Sequence, residues 1–203
     1  MAGQSIQITT SSGHQFGAYL AVPAQKKGPG IVLCHEIFGV NAAMREKADF
    51  LAEEGYTVLV PELFWRVAPN IELGYTEEDF KQAFALDQQY DENLGVQDIQ
   101  DSLDFLKQRP ECDHDVGLAV IGYCLGGKLS YLAACRIPDL ACAVSYYGVG
   151  LEKQLDELKH VKAKLVIHMA ELDEFTPPEA RNAILEVTKN YKNIQAYVYD
   201  GVD

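Results

Sequence analysis

Short apolar runs alternate along this chain with stretches of helical periodicity. Ser5–Thr10 and Phe16–Val22 read as strands around a Ser-Ser-Gly turn, an opening hairpin. Gly30–His35 (GIVLCH) is an almost unbroken apolar run, the pattern of a strand covered on both faces. Asn41–Glu54 follows as a helix stopped by Gly55, then Tyr56–Pro61 as the next strand. Trp65–Gly74 is irregular, a loop expected near a site. Thr76 caps a helix whose first turn holds Glu77, Glu78 and Asp79, where negative charge suits the helix dipole. Val96, Ile99, Leu103 and Leu106 recur at spacings of three and four, a stripe facing a core.

Beyond these, Val116–Ile121, Leu140–Tyr146, Lys164–Met169 and Ile194–Tyr199 read as strands, and Gly126–Cys135 and Pro177–Asn190 as helices. Strands and helices of these lengths in alternation predict the α/β class. The sheet is mostly parallel with helices on both faces, in one domain over residues 1–203. Fold class alone names no function.

Composition narrows the partners. The 203 residues are 48% hydrophobic and 23% charged, a globular balance. Seventeen basic against 30 acidic residues give a formal charge of −13. Such a surface repels phosphate backbones and anionic lipid, so neither nucleic acid nor membrane is an expected partner. MAGQSIQITT has neither the basic start nor the apolar core of a signal peptide. Five cysteines, an odd number without CxxC pairing, predict reduced thiols in a cytoplasm. A monomer or small homo-oligomer is expected, with no metal and no organic cofactor, because no ligand cluster is present.

The strongest chemical signal is Gly122-Tyr123-Cys124-Leu125-Gly126-Gly127, between an apolar strand and a helix. It has the form G-x-nucleophile-x-G, with cysteine where serine is commoner. Glycines leave room around a strained turn. The helix dipole and any cationic neighbour are expected to push the thiol toward thiolate, and the Leu125 amide can meet an oxyanion. The alternative is a buried cysteine in a glycine-rich turn; no GxGxxG or GxxxxGK[ST] pattern supports phosphate binding.

Around this turn lie Cys34-His35-Glu36-Ile37-Phe38-Gly39-Val40-Asn41, Ser145-Tyr146-Tyr147-Gly148-Val149-Gly150 and Met169-Ala170-Glu171-Leu172-Asp173-Glu174-Phe175-Thr176-Pro177. In this order the four blocks resemble the dienelactone hydrolase (carboxymethylenebutenolidase) family of the α/β-hydrolase fold, over nearly the whole chain. The resemblance implies Cys124 as nucleophile and Asp173 as the acid that orients a histidine. It implies Glu36 as the carboxylate that meets the thiol and helps deprotonate it. The Ile37 and Leu125 amides become the oxyanion hole, and Phe38, Tyr146, Phe80 and Phe84 line the substrate pocket. Read from the residues alone, Asp173 could also cap the helix before Pro177, and Glu36 could be an ordinary loop acid.

The chain departs from the family pattern in two places. The resemblance puts a histidine directly after Ile194–Tyr199, whereas the sequence reads Asp200-Gly201-Val202-Asp203 and no histidine follows Asp173. The expectation is therefore a chain that stops before its triad histidine and a terminal helix, leaving an apolar sheet face uncovered. His35 and His168 are expected to be core or loop residues, and His14, His114 and His160 to lie in turns or helix ends. Secondly, the family's carboxylate-binding arginine and a neighbouring tyrosine align with Phe80 and Phe84. Lys81 or Arg66 could replace that charge, and surface lysine is the plainer reading.

The activity implied is hydrolysis of a small ester or lactone through an acyl-thioester. The rivals are a thioesterase, acyltransferase or peptidase on the same fold, or a non-catalytic module in which Cys124 is a reactive thiol.

Overall fold

The structure is a computed structural model that describes residues 3–113 and 115–203. His114 lies outside the described residues. The strands are β1 (Gln4–Thr9), β2 (Gln15–Ala21), β3 (Gly30–Cys34), β4 (Thr57–Pro61), β5 (Ala119–Tyr123), β6 (Cys142–Tyr146), β7 (Lys164–Ala170) and β8 (Ile194–Tyr199). They form one sheet in the order β1-β2-β4-β3-β5-β6-β7-β8. The β1–β2 hairpin and the β2–β4 pair are antiparallel, and every later pairing is parallel.

The five α-helices are α1 (Ala42–Glu53), α2 (Glu77–Asp87), α3 (Glu92–Leu106), α4 (Leu125–Arg136) and α5 (Pro178–Thr188). Alternate residues of the central strands point to opposite faces. Val32, Leu59, Val120, Ala143 and Ile167 pack with Ile99, Leu103, Leu129 and Ile184 of α3, α4 and α5. Ile31, Leu33, Val58 and Val60 pack on the other face with Met44, Ala48 and Ala52 of α1. Both faces of β3 and β4 are thereby closed, which explains why all ten of their residues are buried.

Helix starts follow local chemistry. Asn41 caps α1 by accepting from the Met44 amide at 3.1 Å. Thr76 and Asp79 form a reciprocal capping box at α2. The loop before α2 is tied back over the end of β3: the Val40 amide donates to Ile71 O at 3.1 Å and the Leu73 amide to Phe38 O at 2.9 Å.

Most element boundaries shift by one or two residues, and three differences stand out. β5 starts at Ala119 and runs on through Tyr123, where the expected strand was Val116–Ile121, because Gly122 and Tyr123 still pair with Ser145 and Tyr146. β6 starts two residues later than Leu140. Leu151–His160, for which no element was expected, forms 3₁₀ turns kinked at Gln154. Leu151 and Leu158 are buried and Leu155 packs partly buried against the core, so their spacing of four and three carried a helical signal that the sequence reading did not use.

On the α1 side, β5 to β8 carry an in-register ladder, Tyr123–Tyr146–His168–Tyr197. Successive ring centroids lie 5.0, 4.6 and 5.8 Å apart. Tyr197 remains 44% exposed, so this end of the face is open to solvent.

Candidate active site

β5 hands over to α4 through one residue, Cys124, at φ 54° and ψ −115°. That conformation is strained for any residue with a Cβ, at a cost of about 1–3 kcal/mol. The surroundings hold it there. The Cys124 amide donates to Tyr146 O at 3.0 Å, the Lys128 amide to Cys124 O at 3.0 Å and the Gly126 amide to His35 O at 3.1 Å. A Cβ on Gly122 would overlap the Gly126 carbonyl, and one on Gly126 the Cys34 and His35 carbonyls. These two glycines are therefore required by close backbone approach.

The turn places the thiol in a cavity of about 680 Å³ at the carboxyl ends of the strands. Glu36, Ile37 and Phe38 enter it after β3, Cys124 and Leu125 after β5, Tyr147 and Val149 after β6, and Asp173 and Phe175 after β7. α2 supplies Phe80, Phe84 and Asp87. Of the candidate residues read from the sequence, Cys124, Asp173, Glu36, Ile37, Leu125, Phe38, Phe80 and Phe84 are brought together here. Tyr146 is not: its ring stacks between Tyr123 and His168 on the other face, and the side chain this strand end gives the cavity is Tyr147. The strand alternation switches at Tyr147, whose φ of 39° turns it inward.

The charge replacements considered from sequence are elsewhere. Lys81 pairs with Glu77 on the surface of α2 at 2.6 Å. Arg66 bonds buried Asp98 at 2.7 Å and lies over the Trp65 ring. The cation in the cavity wall is Lys128, one helical turn beyond Cys124, and it is paired with Glu92. Glu92 is also held by Gln154 Nε2 at 3.1 Å. The signal for Lys128 was its i+4 spacing from Cys124, which sets both on one helix face.

The electrostatics run opposite to the sequence expectation. Burial pushes the Cys124 thiol up to about 12, and the carboxylates of Glu36, Asp87 and Asp173 push it the same way. The Leu125 amide, which meets the sulfur, favours the thiolate but is outweighed. Leu125 is the first residue of α4, so its N–H has no acceptor within the helix and is available at the site. The thiol at rest is protonated.

Glu36 is held by two phenols. Tyr147 donates to Oε1 at 3.0 Å and Tyr75 to Oε2 at 3.4 Å. Asp173 Oδ1 accepts from the Phe175 amide at 2.8 Å, fixing the loop between β7 and α5. Pro177, not Asp173, stands at the N-cap of α5. Phe38 forms edge contacts with Tyr75 and Phe80, each at 4.9 Å, and Phe80, Phe84 and Phe175 continue the row at 6.3 and 6.4 Å. This aromatic wall suits an apolar ligand surface. No histidine among the described residues lines the cavity. His35 is fully buried beneath it and His168 belongs to the ladder. Among the described residues no group of three or more His, Cys, Asp and Glu side chains is arranged to hold a metal, and no helix is long and apolar enough to cross a membrane.

A mostly parallel sheet whose candidate nucleophile sits on a left-handed strand-to-helix turn is the arrangement of the α/β hydrolases. Residues 16–203 match the model of the dienelactone hydrolase family. A carboxymethylenebutenolidase of Pseudomonas putida is 41% identical over 92% of this chain and 78% of its own. One from Pseudomonas sp. strain P51 is 38% identical over 98% of this chain and 83% of its own. A solved Klebsiella pneumoniae structure superposes with a TM-score of 0.81 at 24% identity, over 98% of this chain and 88% of that one. The chain belongs to the dienelactone hydrolase family, and it is a hydrolase.

Proposed function

We propose that the chain hydrolyses a small ester or lactone through Cys124 and an acyl-thioester. The observation that carries this reading is the strained, glycine-flanked turn that holds the Cys124 thiol in an open cavity beside the Leu125 amide. The thiol hands its proton to Glu36, the carboxylate that faces it, as the sulfur attacks the carbonyl carbon. The Ile37 and Leu125 amides receive the charge that develops on the carbonyl oxygen. The carbon–oxygen bond to the leaving group breaks and the proton passes to the departing oxygen. Water then adds to the thioester, the carbon–sulfur bond breaks and the carboxylic acid leaves. The sulfur takes back a proton as it leaves, and Asp173 would orient the histidine that the family resemblance implies as the base for this second step.

The relatives' name denotes action on a butenolide that bears a carboxymethylene group. For this chain we favour an uncharged acyl group. Carboxylates outnumber the lysine in the cavity wall, Lys128 is already paired with Glu92, and the remaining wall is aromatic and aliphatic. The raised thiol pKa speaks against a peroxide-sensing module, because such thiols react as thiolates at neutral pH.

The test is a panel of neutral esters, lactones, thioesters and peptides with native protein and Cys124→Ala. Ester or lactone cleavage lost in Cys124→Ala supports the reading. Cleavage retained in that variant refutes it, and thioester or peptide cleavage alone replaces the substrate class.

A further inference from the structure

His35 was expected to be a core or loop histidine, and it is fully buried against Phe64 with ring centroids 5.5 Å apart. Its hydrogen bonds bear on the site above it. Nε2 lies 3.1 Å from the Leu63 amide, which can only donate, so Nε2 accepts. A neutral imidazole accepting at Nε2 carries its proton on Nδ1, and Nδ1 lies 2.5 Å from the Glu36 carbonyl oxygen. Burial holds the ring neutral, with its pKa lowered to about 4.

That carbonyl belongs to the peptide whose N–H is Ile37. The structure has no cis peptide bonds among the described residues, and in a trans peptide the C=O and N–H point in opposite directions. A carbonyl drawn down onto a buried imidazole therefore turns the Ile37 N–H up, toward the cavity that Ile37 lines. The Ile37 N–H has no protein acceptor among the described residues. His35 also reaches the other arm of the site, since its own carbonyl accepts from the Gly126 amide at 3.1 Å, one residue past Leu125. One residue thus makes contact with both arms of the site.

We infer that His35 is a positioning residue for the oxyanion hole, locking the Glu36–Ile37 peptide with its N–H facing the reacting carbonyl. The inference rests on the proposed thioester chemistry. Its energetic logic is preorganisation: a peptide free to flip must be reoriented in every transition state, whereas a pinned one is not. Protein without the imidazole keeps the nucleophile and loses the aim of one donor.

Two reactions of the same sulfur isolate this effect. Acylation by p-nitrophenyl acetate builds an oxyanion. Alkylation by iodoacetamide displaces iodide and builds none. In His35→Leu the rate of Cys124 acylation should fall about 10- to 100-fold, less than the roughly 100- to 1,000-fold of removing one oxyanion donor outright, because the amide is misaimed and not deleted. Alkylation should stay within about twofold, and His35→Gln, which keeps a donor and an acceptor, should recover much of the acylation rate. Equal losses in both reactions, or no loss in either, would overturn the inference.

Should His35→Leu fail to fold, the native protein still decides. Nitrogen NMR of the His35 ring should find the proton on Nδ1 and a bare Nε2, and the opposite tautomer would overturn the inference. The two readings separate cleanly. If native Cys124 is alkylated but never acylated, the thioester chemistry fails. If it is acylated and His35→Leu leaves the ratio of the two rates unchanged, the role of His35 fails.

Discussion

The Tyr147 hydroxyl donates to Glu36 Oε1 at 3.0 Å, across 111 positions of sequence. It joins the loop after β6 to the loop after β3 and fixes a carboxylate that shares the cavity with the thiol. Tyr147 adopts φ 39°, and its amide is held by His168 O at 2.8 Å, so the strained backbone is anchored where the side chain is needed.

Removing that hydroxyl should release the carboxylate without disturbing the sheet. Tyr147→Phe is expected to lower acylation of Cys124 roughly three- to tenfold and stability by about 1.5 kcal/mol, the low end for a hydrogen bond to a charged group because this one is only partly buried. In a Glu36→Gln background the same change should have little further effect on acylation. The four rates form a double-mutant cycle, and additive losses would show that the two residues act separately.

Neither glycine of the elbow should tolerate a Cβ. Gly126→Ala brings a methyl onto the Cys34 and His35 carbonyls, both part of rigid backbone at the end of β3. Denaturant unfolding should show a loss of about 1–3 kcal/mol, the usual cost of overpacking. Alkylation of Cys124 should change with it, because the same contact sets the start of α4.

Acid should weaken the fold through His35. Its pKa is lowered by burial from 6.5 to about 4, so between these values the unfolded chain binds the proton and the folded chain does not. Stability is then complete above pH 6.5 and is lost as pH falls toward 4, by about 3 kcal/mol from this group. Urea unfolding at a series of pH values checks it. In His35→Gln this part of the acid slope should disappear.

Much of this architecture was legible in the sequence. GIVLCH and TVLVP are buried on both faces and contain too few polar residues to be anything but central strands. The glycines at 122 and 126 announced the turn because no other residue fits there. Tyr146 was misplaced because period-two alternation holds only while the strand lasts, and the left-handed backbone at Tyr147 reverses which tyrosine faces the cavity. The raised pKa of the thiol was hidden for a different reason. A helix N-terminus is a local feature, whereas Glu36, Asp87 and Asp173 come from three separate segments that only the folded chain assembles. His35 looked inert for the same reason, since its partners at Leu63 and Glu36 meet only in three dimensions.

The thiol should respond to both pH and reagent charge. With its pKa pushed up to about 12, Cys124 alkylation should keep rising through pH 10 without a plateau. Burial also pushes Cys135 up to about 12, so both thiols release protons more readily when unfolded, and stability should fall as pH rises from 9 toward 12. Among thiosulfonates matched in size, the ammonium reagent should label Cys124 faster than the neutral one and the sulfonate slowest, after normalisation to a free thiol. Added salt should narrow the spread. Equal rates for the ammonium and sulfonate reagents would mean that the cavity carries no net negative field.

The most direct test of the account is to mix the protein with p-nitrophenyl acetate, quench within the first turnovers, and map the bound acetyl group by mass spectrometry. One acetyl per chain is expected, on Cys124, labile to hydroxylamine and absent from Cys124→Ala. An acetyl carried by another residue, or nitrophenol release that persists in Cys124→Ala, would contradict it.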